Sequence, residues 1–285
     1  MKNRFCLLVL FGSAFMYGQG CSDAGFCTIG AMQAKELGKN DISFGSSYER
    51  TTNEFNVLQQ FVQYHVQLNK QFSLATKVTS KYGGNGFIDN FGLSDWFVSG
   101  TYHAKTSNEK VKWQYTLGAK IPFATPETFF LDAEPSNGTF DVIAGISYTN
   151  HAFQLTLGYQ QPLNTITTKD GVSFKRGGDL LLKPTYLWKF NRWSLQPSTM
   201  FIYRIAEDEG TFNSNFPILF DPAFLNGKIS GTDGLTINLM ADVTYAFKNN
   251  HRLQLIAAMP LLNREQIVDG LGRSFVFQVA YGIPF

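Results

Sequence analysis

Apolar side chains recur at every second position along most of the chain that follows residue 40. Val62, Tyr64 and Val66, for example, alternate with glutamine and histidine. A period of two places successive side chains on opposite faces of a β-strand, so each such segment has one apolar face and one polar face. The pattern therefore predicts an all-β protein.

Twelve segments carry this alternation, and most of them reach the length of about 9–11 residues that a tilted strand needs to cross a membrane. Their apolar positions fall within 42–48, 62–68, 72–82, 96–104, 111–121, 140–148, 153–159, 180–190, 193–205, 235–247, 253–261 and 275–285. The polar positions between them carry mainly Gln, Lys, Thr, Ser, Gly and Asp. One face of every strand is thus expected to meet lipid and the other to meet water.

The connections between these segments alternate in length. Tight turns are predicted at 69–70, 149–150, 191–192 and 248–250, and long connections at 83–92, 124–138, 164–178, 207–234 and 263–273. This alternation is typical of an outer-membrane barrel with short periplasmic turns and long extracellular loops, and a soluble sandwich has no need for it. The prediction is a transmembrane, antiparallel, up-and-down β-barrel of about twelve strands over residues 39–285, which begins and ends on the periplasmic side.

Composition points to a lipid-facing protein. Charged residues make up 16% of the chain, against about 25% in soluble domains, while aromatic residues reach 15%. The net charge of +2 offers no basic excess to neutralise phosphates, so no nucleic-acid partner is expected. The expected location is the outer membrane of a Gram-negative cell, in contact with its lipid.

The first residues have the features of a secretory signal peptide. Lys2 and Arg4 precede a short apolar stretch, and Gly18 and Gly20 are the small residues that a signal peptidase reads. Residues 1–20 are therefore predicted to be a signal peptide. Residues 21–38 would then form a periplasmic segment or a short plug in front of the barrel.

Cleavage after Gly20 would leave two cysteines, Cys21 and Cys27, in an oxidising compartment. A small disulfide between them is the expected outcome. The alternative is acylation of Cys21 as the mature N-terminus of a lipoprotein, although Gly18 stands where a lipobox would have leucine. No third ligand lies nearby that would favour a metal site, so no metal and no cofactor are expected.

Two short segments carry a family resemblance. Gly92-Leu93-Ser94-Asp95 and Leu117-Gly118-Ala119-Lys120-Ile121-Pro122-Phe123-Ala124-Thr125 resemble motifs of an outer-membrane transporter family associated with the meta-pathway of phenol degradation. That family is distantly related to channels for long-chain fatty acids and aromatic hydrocarbons. Ser94 and Ala124 depart from the usual form, in which glycine is common. The resemblance implies a channel-type barrel and carries over no binding residues.

Charged side chains on the polar register are the candidates for lining a pore. They are Lys77, Lys81, Asp95, His103, Lys112, Lys120, Asp141, Lys183, Arg204 and Asp242. The surplus of bases would favour anions or carboxylate solutes. Alternatively, the opposite charges pair across a filled interior and stabilise it, because twelve strands lie between the filled eight-stranded barrels and the open sixteen-stranded ones. The expected function is passive uptake of small organic solutes, hydrophobic or anionic.

Prolines and the final residue add two further hypotheses. Pro184 and Pro197 lie in adjacent strands, where a missing N–H group would loosen the wall as a lateral gate or mark a bulge that adjusts its curvature. The last residue, Phe285, falls on the outward register and resembles the carboxy-terminal signature read by the barrel assembly machinery.

Catalysis is not expected. A barrel lipase needs a histidine and a serine that project together toward the lipid. Of the four histidines, His65 and His103 fall on the inward register and His151 and His251 fall in turns. The alternative to a channel is a structural or partner-docking barrel without transport, and a barrel lipase is the less favoured third reading.

Overall fold

The computed structural model describes residues 40–107, 110–212 and 226–285, together with Gly18 and Gln19. Every regular element in these ranges is a β-strand. None of the described residues belongs to a helix long and apolar enough to cross a bilayer. Most of the predicted signal peptide, the segment 21–38 and both of its cysteines lie outside the described residues.

Twelve antiparallel strands form a closed barrel. They are β2 (Asn40–Thr51), β3 (Asn56–Gln67), β4 (Phe72–Gly84), β5 (Asp89–Ala104), β6 (Val111–Pro122), β7 (Asp141–Asn150), β8 (Phe153–Pro162), β11 (Asp179–Tyr186), β13 (Trp193–Arg204), β16 (Gly234–Ala246), β17 (Arg252–Leu262) and β18 (Gly272–Pro284). Each pairs with its neighbour along the barrel, and β18 pairs with β2 to close it. The predicted all-β barrel of twelve strands is confirmed.

The remaining strands are short. β1 (Gly18–Gln19) pairs with the start of β18, and β12 (Trp188–Phe190) extends the hairpin between β11 and β13. A separate four-stranded sheet is built within the long connections. Its strands are β9 (Ile166–Thr167), β10 (Val172–Lys175), β14 (Asp208–Phe212) and β15 (Gly227–Ile229).

Exposure alternates along the barrel strands in the opposite sense to a water-soluble protein. On β3, Gln59 and Gln63 face inward and are 2% and 4% exposed, whereas Leu58 and Val62 face outward and are 43% and 46% exposed. The same alternation of exposed apolar and buried polar positions runs through other strands such as β8. A surface of this kind is stable only against lipid.

Aromatic side chains ring the end of the barrel that carries the short turns. Rings pack against one another at centroid distances of 4.7–6.3 Å, in the pairs Phe72–Tyr102, Tyr102–Tyr115, Trp113–Tyr148, Trp193–Tyr245 and Tyr64–Phe285. Such girdles mark the level of a membrane interface. Phe285 is exposed and stacks on Tyr64.

Strand pairing is irregular near the long-loop end of β17 and β18. The ladder between them ends at Ala258 and Val276, although β17 continues to Leu262 beside β16. A bulge interrupts the β16–β17 register where Asn238 pairs with Pro260. Proline has no N–H group to donate, so its position at a bulge agrees with its chemistry.

Gly45 of β2 makes room for an inward-facing ring. A Cβ atom at this position would lie 2.3 Å from the Phe61 ring and 2.8 Å from the carbonyl oxygen of Val279, and the second contact involves backbone that cannot turn away. We expect Gly45→Ala to lower the free energy of unfolding by about 1–3 kcal/mol through overpacking. The measurement is urea unfolding of the refolded barrel in detergent micelles.

Gly100→Ala is the matched control for this substitution. Its added Cβ would meet only Leu74, at an ordinary 3.5 Å. Equal losses of stability in the two variants would contradict the close approach at Gly45.

Candidate functional site: the lumen of the barrel

Buried ion pairs occupy the long-loop end of the barrel, and Arg204 lies at their centre. Its Nε and Nη2 atoms donate to the two carboxylate oxygens of Asp179 at 2.8 and 3.0 Å. Its Nη1 atom is 2.9 Å from an oxygen of Asp208 and 2.8 Å from one of Asp269. Arg264 pairs with the same Asp269 carboxylate at 2.9 Å. Three segments of the chain are therefore tied to the end of β13.

A second set of pairs lies at the same end. Arg176 contacts Asp141 at 2.8 Å, and the ammonium of Lys120 lies 3.7 Å from that carboxylate. On the far side of the barrel, Arg273 donates to Glu49 at 2.5 Å. All of these side chains are almost fully buried, so each charge is compensated by a partner rather than by bulk water.

The long connections form a small apolar core above these pairs. Leu131, Ile166, Phe174 and Ile229 are buried against one another, with Val268 packed beside them. They come from four different connections between barrel strands. The described parts of these connections therefore form a joint cap, here named the loop cap. Residues 213–225, the most apolar part of the predicted loop 207–234, lie outside the described residues.

Burial and charge shift the pKa values of carboxyl groups in the loop cap in opposite directions. Burial raises the pKa of Asp208 to about 6, despite Arg204 beside it. Burial alone would also raise the pKa of Asp269, but Arg264 and Arg204 hold it well below its usual range. Burial raises the pKa of Asp132, which accepts a hydrogen bond from Asn53 at 2.6 Å.

Half of the lumenal wall carries an apolar lining that sequence reasoning missed. Seven inward side chains from six strands pack into one cluster, here named the apolar arc: Ile143, Leu181, Met200, Ile202, Met240, Ala258 and Val276. They stand on the register for which the alternation predicts polar residues. The sequence does contain a sign of this lining, because some strands carry apolar residues on both the inward and the outward register, as in the run 180–182.

The opposite wall carries a lysine between two aromatic rings. The Nζ atom of Lys77 lies 4.4 Å from the centroid of Phe61 and 5.9 Å from that of Phe97. Cation–π attraction holds this charge on the lumenal side of β4. Lys81 is buried further along the same face, and Asp95 accepts a hydrogen bond from Ser136 at 2.7 Å.

The other predicted lining residues lie closer to the short-turn end. His103 lies between Ser73 and Gln114, at 3.1 Å from each, and Asp242 accepts hydrogen bonds from Thr244 and Gln254. Lys112 is exposed at the rim. Lys183 lies on the wall next to the apolar arc and is partly exposed.

The ten predicted lining residues thus divide into two groups. The structure brings Lys120, Asp141 and Arg204 into the buried pairs at the long-loop end. Asp95 reaches the same end through Ser136, which belongs to the loop between β6 and β7. The remaining six are spread along the wall and the short-turn rim.

The wall around the two prolines is nearly continuous. Pro184 pairs with Leu155 of β8, and Pro197 pairs with Ala241 of β16. The ladder between β11 and β13 keeps one register on both sides of Lys183 and Pro184, but these two residues have no partner in it. The lateral-gate hypothesis therefore rests on an interruption of two residues in one ladder.

The two segments that carry the family resemblance meet in space. Asp95 of the first pairs with Pro122 of the second, at the long-loop end of β5 and β6. Ser94 and Asp95 are consecutive residues of β5, and both are buried. The pairing of β5 with β4 shifts register beside them, between Val78 and Ser80. The motifs thus shape the mouth of the barrel.

Asp208 makes the stability of the loop cap dependent on pH. Because its pKa rises from an ordinary 3.8 to about 6, the folded barrel binds more protons than the unfolded chain between about pH 4 and pH 6. Its contribution to stability is present below that window and is lost as pH rises through it. We expect Asp208→Asn to remove this loss, at most about 3 kcal/mol, in urea unfolding between pH 4 and pH 7.

The amide oxygen introduced by this substitution would still accept the hydrogen bond that the Gly177 N–H group donates to Asp208 at 2.8 Å. The substitution also removes the negative charge beside Arg204 at every pH, so the prediction concerns the slope of stability with pH and not its absolute value. The control is Glu209→Gln, because Glu209 pairs with Lys175 on the exposed surface. A pH profile that is unchanged in Asp208→Asn would contradict the assignment.

No family model matches the chain, and no curated protein matches it. Among solved structures, the barrel is similar to an outer membrane channel from Pseudomonas putida F1, with a TM-score of 0.65 and 12% identity over 88% of this chain and 97% of that one. The KdgM and NanC porins align over 86% of this chain and 99% and 98% of their own, with TM-scores of 0.47 and 0.49 at 8% and 9% identity. The chain has the fold of an outer-membrane β-barrel, and its apolar exterior places it in that membrane.

Proposed function

We propose that the protein is an outer-membrane channel for the passive passage of small organic solutes. The observation that carries the proposal is the inverted barrel, with polar side chains such as Gln59 and Gln63 inside and apolar ones outside. A polar lumen across an apolar membrane is the arrangement that porins use. The similarity in fold to a solved outer membrane channel supports the same function.

The lumenal side chains indicate two kinds of solute. Lys77 and Lys183 present positive charge from opposite parts of the wall, which favours anions. The apolar arc favours solutes with an apolar body. The resemblance to the transporter family associated with phenol degradation, through segments that begin at Gly92 and Leu117, points to the same class of small organic compounds.

The loop cap would set how freely solutes pass. The ion pairs of Arg204 tie two of its connections to the end of β13, and its apolar core joins residues of four connections. Breaking a buried pair leaves uncompensated charge and costs about 3–5 kcal/mol. A variant without the guanidinium should therefore hold its loops less tightly.

Arg204→Gln is expected to raise the mean single-channel conductance and the frequency of open events in a planar bilayer. The control is Lys169→Gln, which removes an exposed pair with Glu127 between two of the same connections. Exposed pairs contribute about 0–1 kcal/mol, so its conductance should match the unmodified barrel. Identical traces for Arg204→Gln and the control would contradict a restraining role for the loop cap.

Lys183→Gln is expected to lower the preference for anions, because it removes a positive charge from the lumenal wall of β11. The measurement is the reversal potential under a salt gradient, and Lys169→Gln again serves as the control outside the lumen. A barrel that shifts its mobility on unheated gels, and so is folded, but never conducts would overturn the channel in favour of a structural or partner-docking barrel.

A further inference from the structure

The short connections of the barrel carry an excess of positive charge. These connections are 68–71, 105–110, 151–152, 187–192 and 247–251, and they contain one acidic residue, Glu109, which lies outside the described residues. Six exposed bases lie in them, and together they are here named the basic rim: Lys70, Lys105, Lys110, Lys189, Arg192 and Lys248.

The long-loop end is balanced differently. There Lys175, which is exposed, pairs with the equally exposed Glu209 at 3.5 Å, and Lys169 pairs with Glu127 in the same way. Toward the short-turn end, the carboxylate of Asp41 is buried, so it does not offset the exposed bases. The uneven distribution gives the short-turn end a positive field that attracts anions from outside the chain.

Several bases of the rim lie directly beside aromatic rings that face lipid. Arg192 immediately precedes Trp193, Lys248 immediately follows Phe247, and Lys189 has an aromatic residue on each side. These rings are exposed. Aromatic belts lie at the level of the lipid headgroups, and the long side chains of lysine and arginine keep their charge on the wet side of that level. The bases are therefore expected at the depth of the lipid phosphates.

Two neighbouring turns form the most continuous part of this arrangement. The rings of Trp193 and Tyr245 lie 4.7 Å apart, and those of Tyr245 and Phe247 lie 5.0 Å apart. The N–H group of Ala246 donates to the carbonyl oxygen of Arg192 at 2.8 Å, which joins the two turns. One row of rings thus carries a base at the end of each of two adjacent hairpins.

Both turns have a defined shape. Asn191 and Asn250 adopt left-handed backbone, with φ of 52° and 66°, a conformation that asparagine tolerates. The Phe247 N–H group donates to the carbonyl oxygen of His251 at 2.9 Å, and the Asn250 N–H group donates to that of Phe247 at 3.1 Å. The bases therefore start from backbone that is already fixed, which lowers the entropy lost when they hold a ligand.

From this arrangement we infer that the basic rim binds the headgroups of anionic phospholipids, with its main contact at Arg192 and Lys248. The guanidinium matches the oxygens of a phosphate, and the rings beside it match the glycerol and the first part of the acyl chains. Short turns of such barrels face the periplasm, so the lipids are those of the leaflet on that side. The inference rests on the position of the barrel in its membrane and does not depend on whether it conducts.

Quenching of tryptophan fluorescence by brominated lipids tests this inference on the full barrel in lipid nanodiscs. The chain has four tryptophans, so Trp96→Phe, Trp113→Phe and Trp188→Phe together leave Trp193 as a local reporter. Brominated phosphatidylglycerol and brominated phosphatidylcholine are compared, and their ratio of quenching gives the relative association of the two lipids at that ring. We expect a preference for phosphatidylglycerol that falls as salt is added.

Arg192→Gln and Lys248→Gln should each lower this preference by up to about fivefold at low salt, the effect of one base near an anionic surface. The control is Lys169→Gln, which removes an exposed base at the long-loop end and should leave the preference unchanged. A second reporter retains only Trp96, which lies near the middle of β5 and faces outward. There the two lipids should quench alike. Mobility on unheated gels verifies that every variant is folded.

Three outcomes would overturn the site. Equal quenching of Trp193 by the two lipids would assign the charge to an acidic soluble partner instead. An equal preference at Trp96 would remove the site from the rim. Displacement of phosphatidylglycerol by inorganic phosphate, beyond that by chloride at the same ionic strength, would indicate a site for free anions. Conductance is measured separately, so a conducting barrel without lipid preference refutes this site alone, and a preference in a silent barrel refutes the channel alone.

Discussion

The pairing of β18 with β2 is the constraint on which the rest of the structure depends. A lipid core offers no partner to a backbone N–H or C=O group, so a sheet can cross it only when its two edges meet. Eleven pairs of residues, from Arg273–Thr51 to Pro284–Asp41, close the barrel. Once the sheet is closed, the period of two in every strand decides which side chains meet lipid and which are enclosed.

Enclosure creates a second problem, because charged side chains inside the barrel need partners. At the long-loop end the enclosed charges are paired with one another, as Arg204 is with Asp179 and Asp208. Toward the short-turn end Asp41 pairs with Arg252, while His103 and Asp242 bond to neutral serine, threonine and glutamine side chains. Between these two zones lies the apolar arc, beside which Asn238 and Thr236 are polar side chains without a hydrogen-bond partner among the described residues.

Much of the fold could be predicted because it depends on local pattern. The alternation seen at Val62 and Tyr64, together with the alternation of short and long connections, defines strands, turns and sidedness without knowledge of contacts. The lumen could not be predicted in the same way. Arg273 and Glu49 are 224 positions apart, and nothing local indicates that they pair. The apolar arc was hidden because its residues share strands with lipid-facing ones, as Ile202 lies between Phe201 and Tyr203.

Closure by the first and last barrel strands also constrains the order in which the protein can form. Contacts between neighbouring hairpins are local and form early, whereas the seam between β2 and β18 joins residues more than two hundred positions apart and pays the loop-closure entropy of nearly the whole chain. Until β18 arrives, the free edge of β2 is a row of unpaired backbone groups open to any passing strand. The nascent sheet must therefore be shielded along that edge for as long as it waits, and a chain that stops short of β18 would be an open, adhesive sheet rather than a smaller barrel.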